Sequence, residues 1–223
     1  MKMFELYNEQ KQEADRCKLG VLVMTEVDNL ASHSVLDKLK QELECELQKK
    51  YGENTRQELK DLHPIGSYVS YYKKFGYTYH VLPQLESVAH GKAIPSVSPL
   101  VESMFMAELK NMLLTAGHDL EKIKGPLTFA DCTGTEHYIG MNRKEITAIP
   151  DDKMIADRES VISSILKGPD CRTCIESGTQ QVLYTVYAPQ KIEDELILHH
   201  LNDIEAYVRT FSPSAHTPFI RVY

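Results

Sequence analysis

Apolar positions recur at helical spacing through the first half of the chain and at strand spacing through much of the second. From Ser34 to Tyr51, the residues Val35, Leu36, Leu39, Leu43, Leu47 and Tyr51 fall three or four apart with Gly52 beyond them. That spacing predicts an amphipathic helix with a solvated Lys/Glu face. Leu19 to Met24 is a short run with β-branched members, bounded by charge, and predicts a buried strand. Shorter helices are predicted over Asn54 to Leu62, stopped by His63-Pro64, over Ser67 to Phe75, closed by Gly76, and over Pro83 to Gly91. Phe4 to Arg16 is polar and suggests no element.

The most informative stretch is Ser98 to Ile123. Pro99 suits a first helical position and Ser98 can cap it. Val101, Met104, Phe105 and Met112 line one face and Met106, Leu109 and Leu113 the next, an arc too wide for a surface helix. The pattern predicts an enclosed helix with Gly117 as its left-handed cap, and His118-Asp119 at its carbonyl end, which favours a cation.

Beyond Asp119 come short extended runs: Pro126 to Asp131, His137 to Met141, Glu145 to Ile149, Lys153 to Asp157 and Val161 to Leu166. Gly134, Asn142 and Pro150-Asp-Asp punctuate them as in an antiparallel meander. Val182 to Ala188 is the strongest strand, and Pro189 stops it. Asp194 to Phe211 follows as an amphipathic helix, and the tail Ser212 to Tyr223 reads as an ordered extension or interface arm. The fold class that follows is α+β, helices packed on a mostly antiparallel β-sheet, in one domain with a single core.

Composition narrows the partners. The formal net charge is −7, which argues against a general grip on phosphate backbones and leaves DNA out. The opening residues are polar, no run is long enough to span a bilayer, and the cysteines number five, an odd count. A cytoplasmic, reduced protein without a membrane partner is the expectation, and a homo-oligomer is compatible with it.

Several side chains are candidates for chemistry. Glu102 and Glu108 are acids in apolar company, and a desolvated carboxylate must find a donor or hold its proton. His118 beside Asp119 suits a general base oriented by the acid, a metal ligand, or only a helix cap. Asp131 and Asp170 stand at strand ends with Arg172 just beyond the second, where binding loops or plain turns are both built. Lys73 and Lys74 adjoin three tyrosines, a composition that serves either RNA binding or packing. Cys171 and Cys174 have CxxC spacing, but no second ligand pair and no strand-to-helix context accompany them, so the spacing reads as coincidence. No P-loop, dinucleotide fingerprint, GxSxG or HExxH is present, and no cofactor is expected.

Taken together, IPSVSPLVES, GHDLEKIKGPLTF and ISSILKGPDCRTCIESGTQQVLYTVYAP resemble the B3/B4 domain of the phenylalanyl-tRNA synthetase β subunit, and more closely freestanding B3/4-domain proteins. The resemblance runs from about residue 67 to 189. It leaves residues 1–66 as an N-terminal strand-helix extension and 190–223 as a C-terminal helix and tail. It implies an α+β fold and an editing pocket that hydrolyses the ester of mischarged tRNA. In place of the family's Thr-Asn pair, histidine and glutamate, this chain has Met104-Phe105, Ala116 and Cys174.

Two functions follow from the resemblance. One is a trans-acting aminoacyl-tRNA deacylase, or a binder of tRNA or aminoacyl-tRNA. Glu108 or His118 would act as base and Asp119 would orient the imidazole. Glu102, Phe105, Asp131, Asp170 and Arg172 would hold substrate, and Lys73 and Lys74 would meet RNA. The other is a non-catalytic protein that binds a small amino-acid-like ligand in the same pocket. A metal-dependent hydrolase using His118, Asp119 and the loop acids is a third.

Overall fold

The computed structural model describes residues 5–11 and 16–223. Eleven strands and six α-helices are placed among them. The central sheet has four antiparallel strands in the order β11-β2-β10-β3, built from β2 (Lys18–Thr25), β3 (Leu114–Asp119), β10 (Gln181–Ala188) and β11 (His216–Val222). A second sheet, ordered β1-β4-β7-β8-β9, contains β1 (Leu6–Asn8), β4 (Leu127–Asp131), β7 (Lys153–Ala156), β8 (Val161–Ser164) and β9 (Gly168–Pro169). Its β1–β4 pair is parallel and the rest antiparallel. β5 (His137–Ile139) and β6 (Glu145–Thr147) form a separate hairpin. The molecule is thus α+β, with mixed and antiparallel sheets.

The inner strands β2 and β10 are buried on both faces and so read as near-continuous apolar runs, whereas β11 at the edge is half-buried or exposed. On one face lie α5 (Pro99–Asn111) and α6 (Asp194–Arg209). Gly20 of β2 lets α6 approach so closely that an added Cβ would sit 2.4 Å from Ile197 Cγ2. The Tyr184 hydroxyl donates to the Leu100 carbonyl of α5 at 2.8 Å. On the other face the Tyr187 hydroxyl meets Ser163 of β8, and its ring lies 6.1 Å from that of Phe129 in β4.

The remaining helices are α1 (Ser34–Tyr51), α2 (Arg56–Asp61), α3 (Ile65–Lys74) and α4 (Val81–Ala89). A capping box at Thr55 and Glu58 starts α2. The buried tyrosines of α3 bolt it to both sheets. Tyr68 donates to the Tyr187 carbonyl at 2.6 Å, Tyr72 to Ile165 at 2.7 Å, and Tyr71 to the Asp152 carboxylate at 2.8 Å. These rings serve packing and are not available to stack on bases.

Three expectations are corrected. The helix begun at Pro99 ends at Asn111, and Met112, at φ 59°, is the left-handed cap. Gly117 lies within β3, opposite Tyr184, where its missing side chain makes room for Ile175 and Met104. The tail is the ordered extension of its first reading: it forms strand β11, paired to β2 as the edge of the central sheet. Within the polar stretch from Phe4 to Arg16, Leu6–Asn8 forms β1, and residues 4 and 12–15 lie outside the described set.

Candidate functional site

β3 carries the candidate imidazole. Strand alternation turns Thr115 toward α6, where its hydroxyl meets His200 Nε2 at 2.7 Å, and turns His118 to the opposite face. There His118 is completely buried, and its Nδ1 lies 2.8 Å from the Thr173 hydroxyl. Thr173 in turn donates to Asp170, whose own N–H bonds Ile162 of β8 at 2.7 Å. Since the Thr173 proton goes to the carboxylate, its oxygen accepts from His118 Nδ1–H, and the network assigns the lone pair to Nε2. That Nε2 has no partner and is sealed from solvent. Burial, together with the nearby Arg172 guanidinium, pushes the imidazolium down to about 3, so His118 is neutral at physiological pH.

Arg172 extends the same network. It donates to Asp157 at 3.0 Å and to the Lys122 carbonyl at 3.0 Å, and its Nε lies 3.5 Å from Asp170. Burial raises the Asp170 carboxyl, an effect that the two bonds from Thr173 and the Arg172 charge partly offset. His118, Asp170 and Arg172 therefore do converge, linked by Thr173, a residue that the sequence offered only as filler inside CxxC. The cysteines on either side of it are free thiols.

Asp119 plays a different part from the one expected. Its carboxylate accepts the Glu121 N–H at 3.0 Å, capping the 3-10 helix Leu120–Lys122, and the Thr179 hydroxyl at 2.8 Å. The imidazole is oriented by Asp170 through Thr173, because neighbouring side chains on a strand point apart.

The two glutamates realise both fates open to a buried acid. Glu102 found a donor: Lys40 of α1 at 2.7 Å, with the Val97 N–H at 2.9 Å on its other oxygen. Both charges are buried, so Glu102 ties α1 to α5 and does not face a ligand. Glu108 holds its proton, since burial raises its carboxyl to about 8, opposed by the Thr115 N–H at 3.0 Å. It braces the turn at Met112 and belongs to a different part of the core from His118.

The other candidates are scattered. Asp131 pairs with the buried Lys153 and accepts the Lys11 N–H at 2.7 Å. Phe105 is half-buried against the core. Lys73 and Lys74 are exposed at the end of α3. Lys74 borders a cleft of about 260 Å³ with Ser67, Ser70 and Lys191. Met104 and Ile175 close over Gly117. Among the described residues no trio of His, Cys, Asp or Glu is placed to hold a metal ion.

An open cleft lies elsewhere, between the β2–β11 edge and the segment leading from the 3-10 helix into β4. It has a volume of about 1010 Å³. Val23, Leu120, Ile123 and Phe219 give it apolar walls, while Glu5, Glu121, Lys124, Arg158 and Gln181 line it with charge and amide. Gly125, at φ +85°, is required at its floor, because an added Cβ would meet the Arg158 stem at 2.6 Å. Arg158 and Lys124 are exposed and have no ion-pair partner among the described residues. The Arg172 network pins this wall, since Lys122 and Asp157 adjoin it. Sequence reasoning missed the cleft, whose one local signal is Gly125-Pro126 beside a basic residue.

No family model and no curated protein matches the chain. Among solved structures it is similar to the crystal structure of an N-terminal fragment of the phenylalanyl-tRNA synthetase β-subunit from Pyrococcus horikoshii. The likeness has a TM-score of 0.50 and 12% sequence identity, and covers 99% of this chain and 54% of that one. The chain has a phenylalanyl-tRNA-synthetase-β-like fold. It spans about half the length of that fragment, and at this identity the likeness concerns fold alone. Among the described residues no helix is long and apolar enough to cross a membrane.

Proposed function

We propose that this protein binds an amino-acid-like ligand, without hydrolysing it, in the cleft between the β2–β11 edge and the β4 segment. The observation that carries the reading is a lining with cations that have no ion-pair partner among the described residues, Arg158 and Lys124, and acids, Glu5 and Glu121, around apolar walls. A zwitterion presents a carboxylate to the first pair, an ammonium to the second, and a side chain to Phe219 and Leu120. The volume stands near the top of the range of about 300–1,000 Å³ usual for small-ligand clefts, which admits an amino acid esterified to a larger group. The polar groups that would run hydrolysis are sealed in the core: Glu108 is held protonated on the buried side of α5, and His118 faces the second sheet.

Calorimetric titration with a panel of amino acids and their methyl esters tests this. Saturable binding is expected, weakened at least about tenfold by Arg158→Gln, the order of one lost charge-assisted pair. Absence of saturable binding across the panel at millimolar concentration overturns it.

A second reading, an aminoacyl-tRNA deacylase, is favoured by one observation: the Asp170–Thr173–His118 relay leaves Nε2 as a fixed lone pair, the orientation a general base needs. Incubation with mischarged tRNAs decides between them. Hydrolysis that His118→Gln abolishes replaces the binding reading with this one, and intact esters support binding alone.

A further inference from the structure

Between β9 and β10 the chain from Cys171 to Ile175 is anchored from within. Arg172 reaches Asp157 and the Lys122 carbonyl, Thr173 holds His118, and Ile175 packs over Gly117. The backbone is fixed too: the Cys171 N–H donates to Ile139 at 2.8 Å, and the Asp119 N–H to the Thr173 carbonyl at 2.7 Å. Lys122 Nζ donates to the Cys174 carbonyl at 3.1 Å. The side chains left over are those of Cys171 and Cys174, both half-buried. The Cys171 sulfur makes no hydrogen bond among the described residues, and the Cys174 thiol makes only a long contact of 3.7 Å with Glu176.

Residues three apart on an extended strand face opposite ways. Here the chain bends through Cys171 to Thr173, because the Thr173 N–H, at 3.2 Å, and the Thr173 hydroxyl both return to the Asp170 carboxylate. The bend brings the two thiols within electrostatic reach of one another. Cysteine used as a small packing residue is ordinarily buried, as Cys17 and Cys132 are, whereas this pair reaches the surface. Spacing alone reads as coincidence; anchoring on every side and two thiols with no other bonding duty do not.

We propose that Cys171 and Cys174 form a reversible dithiol/disulfide site, oxidised by a small-molecule disulfide of the glutathione kind, and that closing the ring alters the hold of Thr173 on His118. Burial raises the Cys174 thiol, an effect that the Lys122 charge partly offsets, so Cys171 makes the first attack. Its sulfur bonds to one sulfur of the disulfide RSSR, the S–S bond of RSSR breaks, and one RSH leaves with the Cys171 proton. The Cys174 sulfur then bonds to the Cys171 sulfur, the mixed S–S bond breaks, and a second RSH leaves with the Cys174 proton. The pair has given up two electrons, and RSSR has been reduced by them. Arg172 and Thr173 lie inside the ring so formed, and Thr173 carries the change to His118. The site is separate from the cleft and is tested apart from it.

The full chain is equilibrated with mixtures of oxidised and reduced glutathione and quenched with excess N-ethylmaleimide. Cleavage after Glu159 and Glu176 then puts both cysteines on one peptide for mass spectrometry. That peptide is expected to lose both maleimide labels together and to retain no glutathione, and dithiothreitol to restore the labels. Exposed Cys45, which takes up glutathione as a mixed disulfide, shows that the oxidant is active. Cys174→Ser is expected to leave glutathione on Cys171. In the wild-type protein, oxidation is expected to shift the ring-proton resonances of His118, a readout that needs no variant to fold. Glutathione retained on Cys171 while Cys174 is labelled, or both labels kept at every ratio, overturns the site. A disulfide that leaves the His118 resonances in place overturns its coupling to Thr173.

Discussion

Glu108 accepts the amide proton of Thr115 at 3.0 Å, across the left-handed turn that Met112 makes between α5 and β3. That bond fixes where the helix stops and where the central sheet's edge strand starts. It also keeps a carboxyl in the core, where burial raises its ionisation to about 8 from an ordinary value of 4.5.

The first prediction follows from that shift. The folded state holds the Glu108 proton where the unfolded chain has released it, so this group's contribution falls as pH rises between 4.5 and 8. Above pH 6.5, Asp152, raised to about 6, has largely finished titrating. Wild type should lose about 2 kcal/mol between pH 6.5 and 8.5 relative to Glu108→Gln, and urea denaturation at the two pH values measures it.

The histidines act in the opposite direction. His118 and His200 are buried, and burial lowers both to about 3, so the unfolded chain binds their protons first. Stability from each is fully present above pH 6.5 and is lost as pH falls toward 3. Between pH 6.5 and 4.5, His118→Gln should lose roughly 2–3 kcal/mol less than wild type, a difference in slope that acid-titrated melts detect.

Lys40 and Glu102 form a buried pair at 2.7 Å, and removing one partner strands the other's charge. Glu102→Met or Lys40→Met alone should cost about 3–5 kcal/mol, whereas the two together should cost clearly less than the sum. A double-mutant cycle in chemical denaturation reads the coupling.

At Gly117 the backbone is unstrained and the question is space. An added Cβ would lie 2.9 Å from Ile175 Cδ1 and 3.3 Å from Met104 Sδ and Tyr184 Cε1. Gly117→Ala should destabilise by about 1–3 kcal/mol, and Ile175→Val in the same chain should return part of it. Thermal melts of the single and double variants test this.

The helices and the strong strands were legible because their apolar spacing is set locally: α1, β10 and α6 lie close to where periodicity put them. The junction after Asn111 was not. Met112 is a poor left-handed residue by local chemistry, and Gly117 a good one, but β3 needed six residues to pair with β10 and the small residue to admit Ile175. Long-range pairing outweighed the cap.

The candidate site was readable residue by residue and not as a constellation. His118, Asp170 and Arg172 each stand out by type, but the hydroxyl of Thr173 that joins two of them sits inside a CxxC spacing that reads as coincidence in the sequence alone. The acids at Glu102 and Glu108 were rightly singled out as desolvated, and only packing could say that one is paired and the other protonated. The open cleft draws on Glu5, Val23, Arg158 and Phe219, positions too far apart in the chain for any local pattern to unite.

Leu19 and Tyr223 exchange both their backbone hydrogen bonds, at 3.1 and 2.9 Å, and so close the side of β2 that β11 covers. Were those last seven or eight residues trimmed away, an almost wholly apolar strand would present a row of open amides and carbonyls to water. A shortened chain would then gain a template for adding strands from its own copies, and its solubility would come to depend on its concentration.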